Sequence, residues 1–181
     1  MTPRNPVTNN HLVALGGITL EYARLEQFIS HFIWALVAKD ARIGQTITAP
    51  MTFRGRITLL RSLFHMLPAR GVKADVATLD ALITKAEKAV EKRNNIVHAL
   101  IWHADAQGDL AFTMLKKNAK GDARWVAASA SVPDLNAVAA DIYEALVGIS
   151  DFMGKHFGGN TYPPRGGKGT LYAQPKKKRK D

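Results

Sequence analysis

The sequence has no cysteine in its 181 residues, which excludes disulfide bonds, thiol nucleophiles and cysteine-ligated zinc. It also lacks long apolar runs, since no stretch reaches the roughly 18 apolar residues that a membrane-spanning helix needs. Neither a His-x-x-x-His pair nor a cluster of carboxylates predicts a metal site. We therefore expect no metal, no cofactor and no membrane partner.

Acidic residues are scarce beside basic ones. The chain has 15 Asp and Glu against 25 Lys and Arg, a formal net charge of +10. Residues 158–181 carry +6 of this charge, whereas the first 157 residues carry only +4. Excess positive charge favours a nucleic-acid partner. The folded part is mildly basic, and most of the excess lies at the C-terminus.

The chain is long enough for one domain with appendages. Residues 1–10 contain two prolines and no apolar pattern, which predicts a flexible N-terminal arm. Residues 11–157 carry regular apolar patterns and predict one helical domain. Residues 158–181 are first rich in glycine and proline and then basic, which predicts a flexible basic tail.

Apolar residues recur every three or four positions in four stretches, which predicts helices over about 11–38, 52–67, 75–100 and 132–157. Glycine and proline between residues 40 and 50 predict a loop. The apolar period changes to two after the third helix, predicting a β-hairpin over about 103–131, and the pattern allows a third short strand before Gly108. A capping box, Ser131 to Asp134, starts the last helix. The expected fold is mainly α, an antiparallel four-helix bundle with a β-hairpin inserted between helices three and four.

The stretch that could carry chemistry lies at the end of the third predicted helix and reads EKRNNIVHALIW, from Glu91 to Trp102. Asn94 interrupts the apolar stripe of this helix. On a straight helix, Arg93 and His98 point about 140° apart. Their side chains could meet if Arg93 wraps around the helix, if the helix ends irregularly, or if a two-fold partner supplies a second copy.

An arginine, a polar residue and then a histidine after four to six intervening residues resemble the hallmark motif of the HEPN superfamily (higher eukaryotes and prokaryotes nucleotide-binding domains). Arg93, Asn94 and His98 occupy those positions in RNNIVH. The family carries this motif late in the third helix of a helical bundle. The resemblance covers roughly residues 12–157, although only the six-residue motif is specific.

The resemblance implies a metal-independent endoribonuclease of the toxin or phage-defence type, which cleaves single-stranded RNA by 2′-OH attack. It implies a homodimer in which two motifs form one composite site, and an antitoxin protein as a further partner. The absence of cysteine fits a reducing compartment, so we expect a cytoplasmic location. Histidine can transfer the proton near neutral pH, and arginine can clamp the phosphate. Asn94 would orient the phosphate or the histidine. Glu26 corresponds to an accessory acid that HEPN-like chains often carry on the first helix.

Other interpretations stay open at this point. Arg93 could pair with Glu91 or with an acid on another helix, and His98 could cap the helix at its negative end. The chain would then be a non-catalytic HEPN-like module that binds nucleic acid or protein, or a helical scaffold for its basic tail. His103 is a weaker candidate for the site, and His31 and His65 are predicted to lie at the edge of the core.

The tail ends in PKKKRK, which contains five consecutive cations: Lys176, Lys177, Lys178, Arg179 and Lys180. Cations on a flexible tether suit an RNA backbone, so we expect these residues to bind RNA. The string also resembles a monopartite nuclear localisation signal. That resemblance implies a nuclear location where a eukaryotic import receptor reads it.

Overall fold

The computed structural model describes residues 7–37, 41–66, 75–104, 108–117 and 122–157, which form five helices and three strands. The helices are α1 (Asn9–Val37), α2 (Ala41–Thr48), α3 (Phe53–His65), α4 (Val76–Val97) and α5 (Val132–Phe157), and the strands are β1 (Leu100–Ala104), β2 (Leu110–Lys117) and β3 (Ala123–Ala130). The predicted mainly helical fold is confirmed. Residues 1–6 of the predicted arm and the basic tail at 158–181 lie outside the described residues.

The core forms around α1, which packs against α2, α3 and α5, while α5 also packs against α4. Four phenylalanines meet between α1, α3 and α5. Phe64 lies 6.4 Å from Phe32 and 5.4 Å from Phe152, and Phe157 lies 5.6 Å from Phe32, between ring centres. Such pairs add about 0.5–1.5 kcal/mol each beyond the burial of their area. This cluster fixes three of the long helices against one another.

The long helices do not simply alternate in direction. Contacts between α1 and α3 advance together along both helices, from Tyr22–Phe53 to Phe32–Phe64, so these two helices run the same way. Contacts between α4 and α5 advance in opposite directions, because Lys85 pairs with Glu144 whereas Lys92 pairs with Asp141. The predicted antiparallel order therefore holds for α4 and α5 but not for α1 and α3.

The reason is α2, which occupies residues where the sequence predicted a loop. Gly44 was interpreted as a turn signal, but it lies buried in α2 against α1. A Cβ atom at Gly44 would come within 2.4 Å of Trp34 Cδ1. Thr48 Oγ1 accepts a hydrogen bond from Trp34 Nε1 at 2.8 Å. The glycine allows close helix packing, and the extra helix lets α3 begin beside the middle of α1.

The helix starts follow local hydrogen bonding. Ser131 Oγ donates to Asp134 Oδ2 at 2.6 Å, and the Asp134 N–H donates to Ser131 Oγ at 3.2 Å, which confirms the predicted capping box. Asp75 caps α4 by accepting from the Thr78 hydroxyl and N–H. These hydrogen bonds from Thr78 and Ser131 hold the pKa of each aspartate below its ordinary value.

The three strands form an antiparallel sheet in the order β1-β2-β3. The predicted hairpin is β2–β3, and β1 is the third strand that the pattern allowed. The sheet starts at Leu100 rather than near 103, because α4 already ends at Val97. Leu110 and Phe112 are buried against the helices. None of the helices in the described ranges is long and apolar enough to span a membrane.

Candidate active site

The candidate site forms where α4 ends. His98 is the C-terminal cap, with φ −94° and ψ 3°, and its backbone N–H donates to the carbonyl of Asn94 at 3.1 Å. This hydrogen bond keeps the backbone N–H of His98 in the helical pattern, so the last turn of α4 carries both Arg93 and His98. The two side chains meet within one chain, without a second copy.

The structure brings the three motif residues together within one chain. Arg93 Nη1 donates to Asn94 Oδ1 at 2.9 Å and lies 3.2 Å from His98 Nε2. A guanidinium can only donate, so His98 Nε2 is the acceptor. We assign the imidazole as neutral with its proton on Nδ1, on the basis of this donor. Asn94 and His98 are exposed, so the cluster opens to solvent.

Tyr22 of α1 completes the surroundings of Arg93. The Arg93 Cζ atom lies 4.3 Å from the centre of the Tyr22 ring, a cation–π contact that orients the guanidinium plane. Arg93 Nε is buried and has no hydrogen-bond partner among the described residues. No carboxylate in the described ranges forms an ion pair with Arg93. The interpretation that Arg93 pairs with an acid is therefore wrong within those ranges, whereas His98 does cap the helix.

Glu26, the suggested accessory acid, contacts Tyr22 and Arg56 and not the motif residues. Its Oε1 atom lies 2.7 Å from Arg56 Nη1 and accepts from the Tyr22 hydroxyl at 3.4 Å. Arg56 also donates through Nε and Nη2 to the carbonyl of Thr48, at 3.4 and 3.2 Å. Glu26 is therefore linked to Arg93 by contacts through Tyr22, and this chain of contacts connects α2 and α3 to the end of α4.

The electrostatics keep Tyr22 protonated. Burial, followed by the negative charge of Glu26, raises the pKa of the Tyr22 hydroxyl, and Arg93 and Arg56 only partly oppose this. The phenol is therefore neutral at physiological pH and can donate to Glu26. A neutral ring also leaves the charge of Arg93 uncompensated.

Sequence reasoning missed Tyr22 and Arg56. One signal was present: Tyr22 and Glu26 are four residues apart, so they share a helix face and place a hydroxyl beside a carboxylate.

The other histidines do not join the cluster. The His31 ring lies 4.6 Å from the ring of Trp34 at the edge of the core, as predicted, and burial lowers its pKa. His65 is exposed and contacts Asp80, so its prediction as a core-edge residue is wrong. The side chain of His103 lies outside what the structure describes.

Within the described ranges, no group of three or more His, Asp or Glu residues is placed to hold a metal ion. Comparison with protein-family models, with curated proteins and with solved structures finds no match to this chain. The resemblance at RNNIVH therefore rests on the motif alone.

Proposed function

We propose that the protein is a metal-independent endoribonuclease of the HEPN type, acting in toxin or phage-defence systems, that cleaves single-stranded RNA through Arg93, Asn94 and His98. The observation that carries the proposal is the 3.2 Å contact between Arg93 Nη1 and His98 Nε2. It joins a permanent cation and a proton-transfer group that a straight helix would hold apart.

The chemistry requires a base for the ribose 2′-OH and positive charge for the phosphorane that forms. Neutral His98 can take the 2′-OH proton on Nε2 as the 2′-O–P bond forms and the P–O5′ bond breaks. Arg93 has uncharged partners, so its fork stays available for two phosphate oxygens. The product is a 2′,3′-cyclic phosphate.

The resting contact implies an order of events. Arg93 occupies the lone pair of His98 Nε2 until a phosphate competes for Nη1. A phosphate that draws Arg93 away would free Nε2 to act as a base. Binding of the substrate phosphate would thus free the base that takes the 2′-OH proton.

A homodimer is part of this proposal, because the leaving 5′ oxygen needs a proton that protonated His98 of a second copy can supply. The exposed surface of α1 is where we expect the two copies to meet. It carries three large apolar residues, Leu12, Val13 and Leu20. Uncharged surface lets two positively charged copies meet without direct repulsion.

The test is cleavage of single-stranded RNA by purified protein in excess chelator, with the new 3′ ends mapped. His98→Ala should lower the rate by about 10²- to 10⁴-fold, the usual effect of losing a positioned acid–base group. His65→Ala is the matched control, since His65 is also an exposed histidine near a helix end, and it should keep the wild-type rate. The enzyme proposal fails if wild type cleaves no faster than His98→Ala.

One observation favours the alternative, a non-catalytic HEPN-like binding module. Arg93 Nη1 has partners in Asn94 and His98 without any ligand, so the cluster could simply stabilise the end of α4. Under that alternative the protein would bind RNA without cleaving it. His98→Ala would then lower the stability and leave no activity to lose.

A further inference from the structure

Arg56 of α3 is held by contacts from two other helices. Its Nη1 atom lies 2.7 Å from Glu26 Oε1 of α1, and its Nε and Nη2 atoms donate to the carbonyl of Thr48 at the end of α2. Every nitrogen atom of the guanidinium therefore has a partner. The Arg56 side chain is only 14% exposed, so water screens its pairing with Glu26 less than it would screen a surface pair.

Glu26 and Arg93 both contact the side chain of Tyr22. Glu26 Oε1 lies 3.4 Å from the Tyr22 hydroxyl oxygen, and Arg93 Cζ lies 4.3 Å from the centre of the ring. Both charges also act on the pKa of Tyr22, which Glu26 raises and Arg93 lowers. A single side chain therefore connects a carboxylate to the arginine of the motif.

Despite this arrangement, the ion pair of Glu26 is with Arg56 and not with Arg93. Arg56 neutralises the carboxylate, so Glu26 does not cancel the charge of Arg93. If Arg56 were absent, Glu26 would be a partly buried carboxylate without a cation, which is an unfavourable state. A glutamate side chain can change rotamer, and the cation on the other side of Tyr22 would attract it.

We propose that Arg56 is a positioning residue, which holds Glu26 at the hydroxyl end of Tyr22 and so leaves the charge of Arg93 available to an RNA phosphate. This inference rests on the proposed function for the role of Arg93 in phosphate binding. Arg56 acts through Glu26, because a carboxylate that paired with Arg93 would compete with the phosphate for the same N–H donors.

The experiment measures binding of a fluorescently labelled, 2′-O-methyl single-stranded RNA to the full chain by anisotropy. This probe cannot be cleaved, since it has no free 2′-OH. Arg56→Met removes the charge and keeps an unbranched side chain. It should weaken binding by about three- to fivefold, the range of one ion pair near the surface that competes with the phosphate. Wild-type affinity in Arg56→Met overturns the inference.

A double-mutant cycle tests whether Arg56 acts through Glu26. Glu26→Gln removes the competing charge, so adding it to Arg56→Met should restore affinity to near the wild-type value. The same substitution in the wild-type background should give a much smaller gain, because Arg56 already neutralises Glu26 there. Equal gains in both backgrounds overturn the inference, since Glu26 would then oppose RNA only through the net charge of the protein.

Thermal unfolding separates this role from a purely structural one. Arg56→Met and the double variant both lose the ion pair with Glu26 and the hydrogen bonds to Thr48, so their unfolding midpoints should fall by similar amounts. Only the single variant should lose affinity. If affinity follows stability, the double variant binds as weakly as Arg56→Met, and the inference is overturned.

Arg61→Met is the matched control for net charge. Arg61 is another arginine of α3 that pairs with a glutamate, Glu87, at 3.2 Å. Its substitution removes the same charge from the protein and should leave RNA affinity near the wild-type value. A loss equal to that of Arg56→Met would show that the number of cations, and not the pairing of Glu26, determines binding.

The Arg93→Ala background completes the test. Arg56→Met should have no further effect on affinity there, whereas a loss of unchanged size would mean that Arg56 contacts RNA directly and would overturn the inference. If the cycle behaves as expected while wild type cleaves no RNA, the role of Arg56 stands and the enzyme proposal fails. If wild type cleaves RNA and Arg56→Met binds like wild type, only this inference fails.

Discussion

Two arginine–histidine clusters lie beside α4, and they differ in how the arginine charge is balanced. In the first, Arg61 contacts Asp80 at 3.1 Å and Glu87 at 3.2 Å, and His65 contacts Asp80 at 3.0 Å. In the second, Arg93 contacts the Tyr22 ring, an amide oxygen and a neutral imidazole. Both clusters are accessible to solvent, and both contain the same two chemically capable residue types.

The difference shows that the partners of an arginine decide what it can do. Two carboxylates cancel the charge of Arg61, so an RNA phosphate would have to displace both of them. The partners of Arg93 carry no charge, so a phosphate meets an uncompensated cation. We therefore expect the Arg61 cluster to hold α3 against α4 and the Arg93 cluster to bind substrate.

The largest difference between the two clusters should appear when each arginine is replaced by alanine in a separate variant. Arg93→Ala should lower the rate of RNA cleavage by about 10²- to 10³-fold, since it removes a donor to the phosphorane. Arg61→Ala should cleave at the wild-type rate. Single-turnover rates on one RNA at saturating protein give the comparison. Arg93→Lys should recover part of the loss, because lysine keeps the charge and loses the planar fork.

The stability of the same variants should show little difference. Exposed ion pairs such as those of Arg61 contribute about 0–1 kcal/mol, so Arg61→Ala should shift the denaturation midpoint only slightly. Equal losses of cleavage in Arg61→Ala and Arg93→Ala would show that overall positive charge, and not the surroundings of Arg93, drives activity.

A smaller effect should follow from changing the aromatic ring that distinguishes the second cluster. Tyr22→Ala removes the surface on which Arg93 rests and should lower kcat by about tenfold, the range of a partly desolvated cation–π contact. Tyr22→Phe keeps the ring and should stay close to the wild-type kcat. Steady-state kinetics on both variants separate kcat from KM.

A merely structural role for Tyr22 would predict a different pattern. In that case both variants would lose stability and leave kcat unchanged in the folded fraction. Equal kcat losses in Tyr22→Phe and Tyr22→Ala would instead make the hydroxyl, and its hydrogen bond to Glu26, the important feature.

The smallest effect concerns two carboxylates outside both clusters. Hydrogen bonds hold the pKa of Asp75 and Asp134 below the ordinary value of 3.8, so the folded state favours their ionised forms. This stabilisation is present above the ordinary pKa and is lost as pH falls through the lowered one. Denaturation midpoints should therefore decline below about pH 4, and the double variant Asp75→Asn, Asp134→Asn should decline less steeply.

This measurement separates the effect of the two helix caps on acid stability from the effect of the Arg61 ion pairs. Acid unfolding that starts at the helix caps could otherwise be attributed to the ion pairs of Arg61. If the denaturation midpoint falls equally steeply with pH in wild type and in the double variant, the caps are not the cause. The ion pairs of Asp80 and Glu87 would then be the next candidates.

The sequence predicted the fold best where periodicity was long. Four helices and the hairpin were found because each repeats its apolar residues over many positions, and the box at Ser131 marked the start of α5. The short helix α2 was missed, because Gly44 and Pro50 are local turn signals. What makes the segment helical is packing of Gly44 against Trp34, a contact between elements that no local pattern records.

The motif residues of the candidate site could be predicted from the sequence, but their surroundings could not. Arg93, Asn94 and His98 followed from a motif, but their contacts depend on the path of the Arg93 side chain along the last turn of α4, which the sequence does not specify. The contact of Tyr22 with Arg93 could not be predicted, because it depends on how α1 crosses the end of α4. Local pattern identified the reactive groups, and tertiary packing determined their surroundings.

Substitution of Gly44 should disturb the candidate site, although Gly44 is far from Arg93 and His98 in the sequence. Any side chain there would collide with the Trp34 ring and push α2 away from α1. The carbonyl of Thr48 would move with α2, and Arg56 would lose an acceptor while it holds Glu26. In a library of random variants selected for activity, position 44 would therefore tolerate as little change as the motif itself, although it contacts none of the three motif residues.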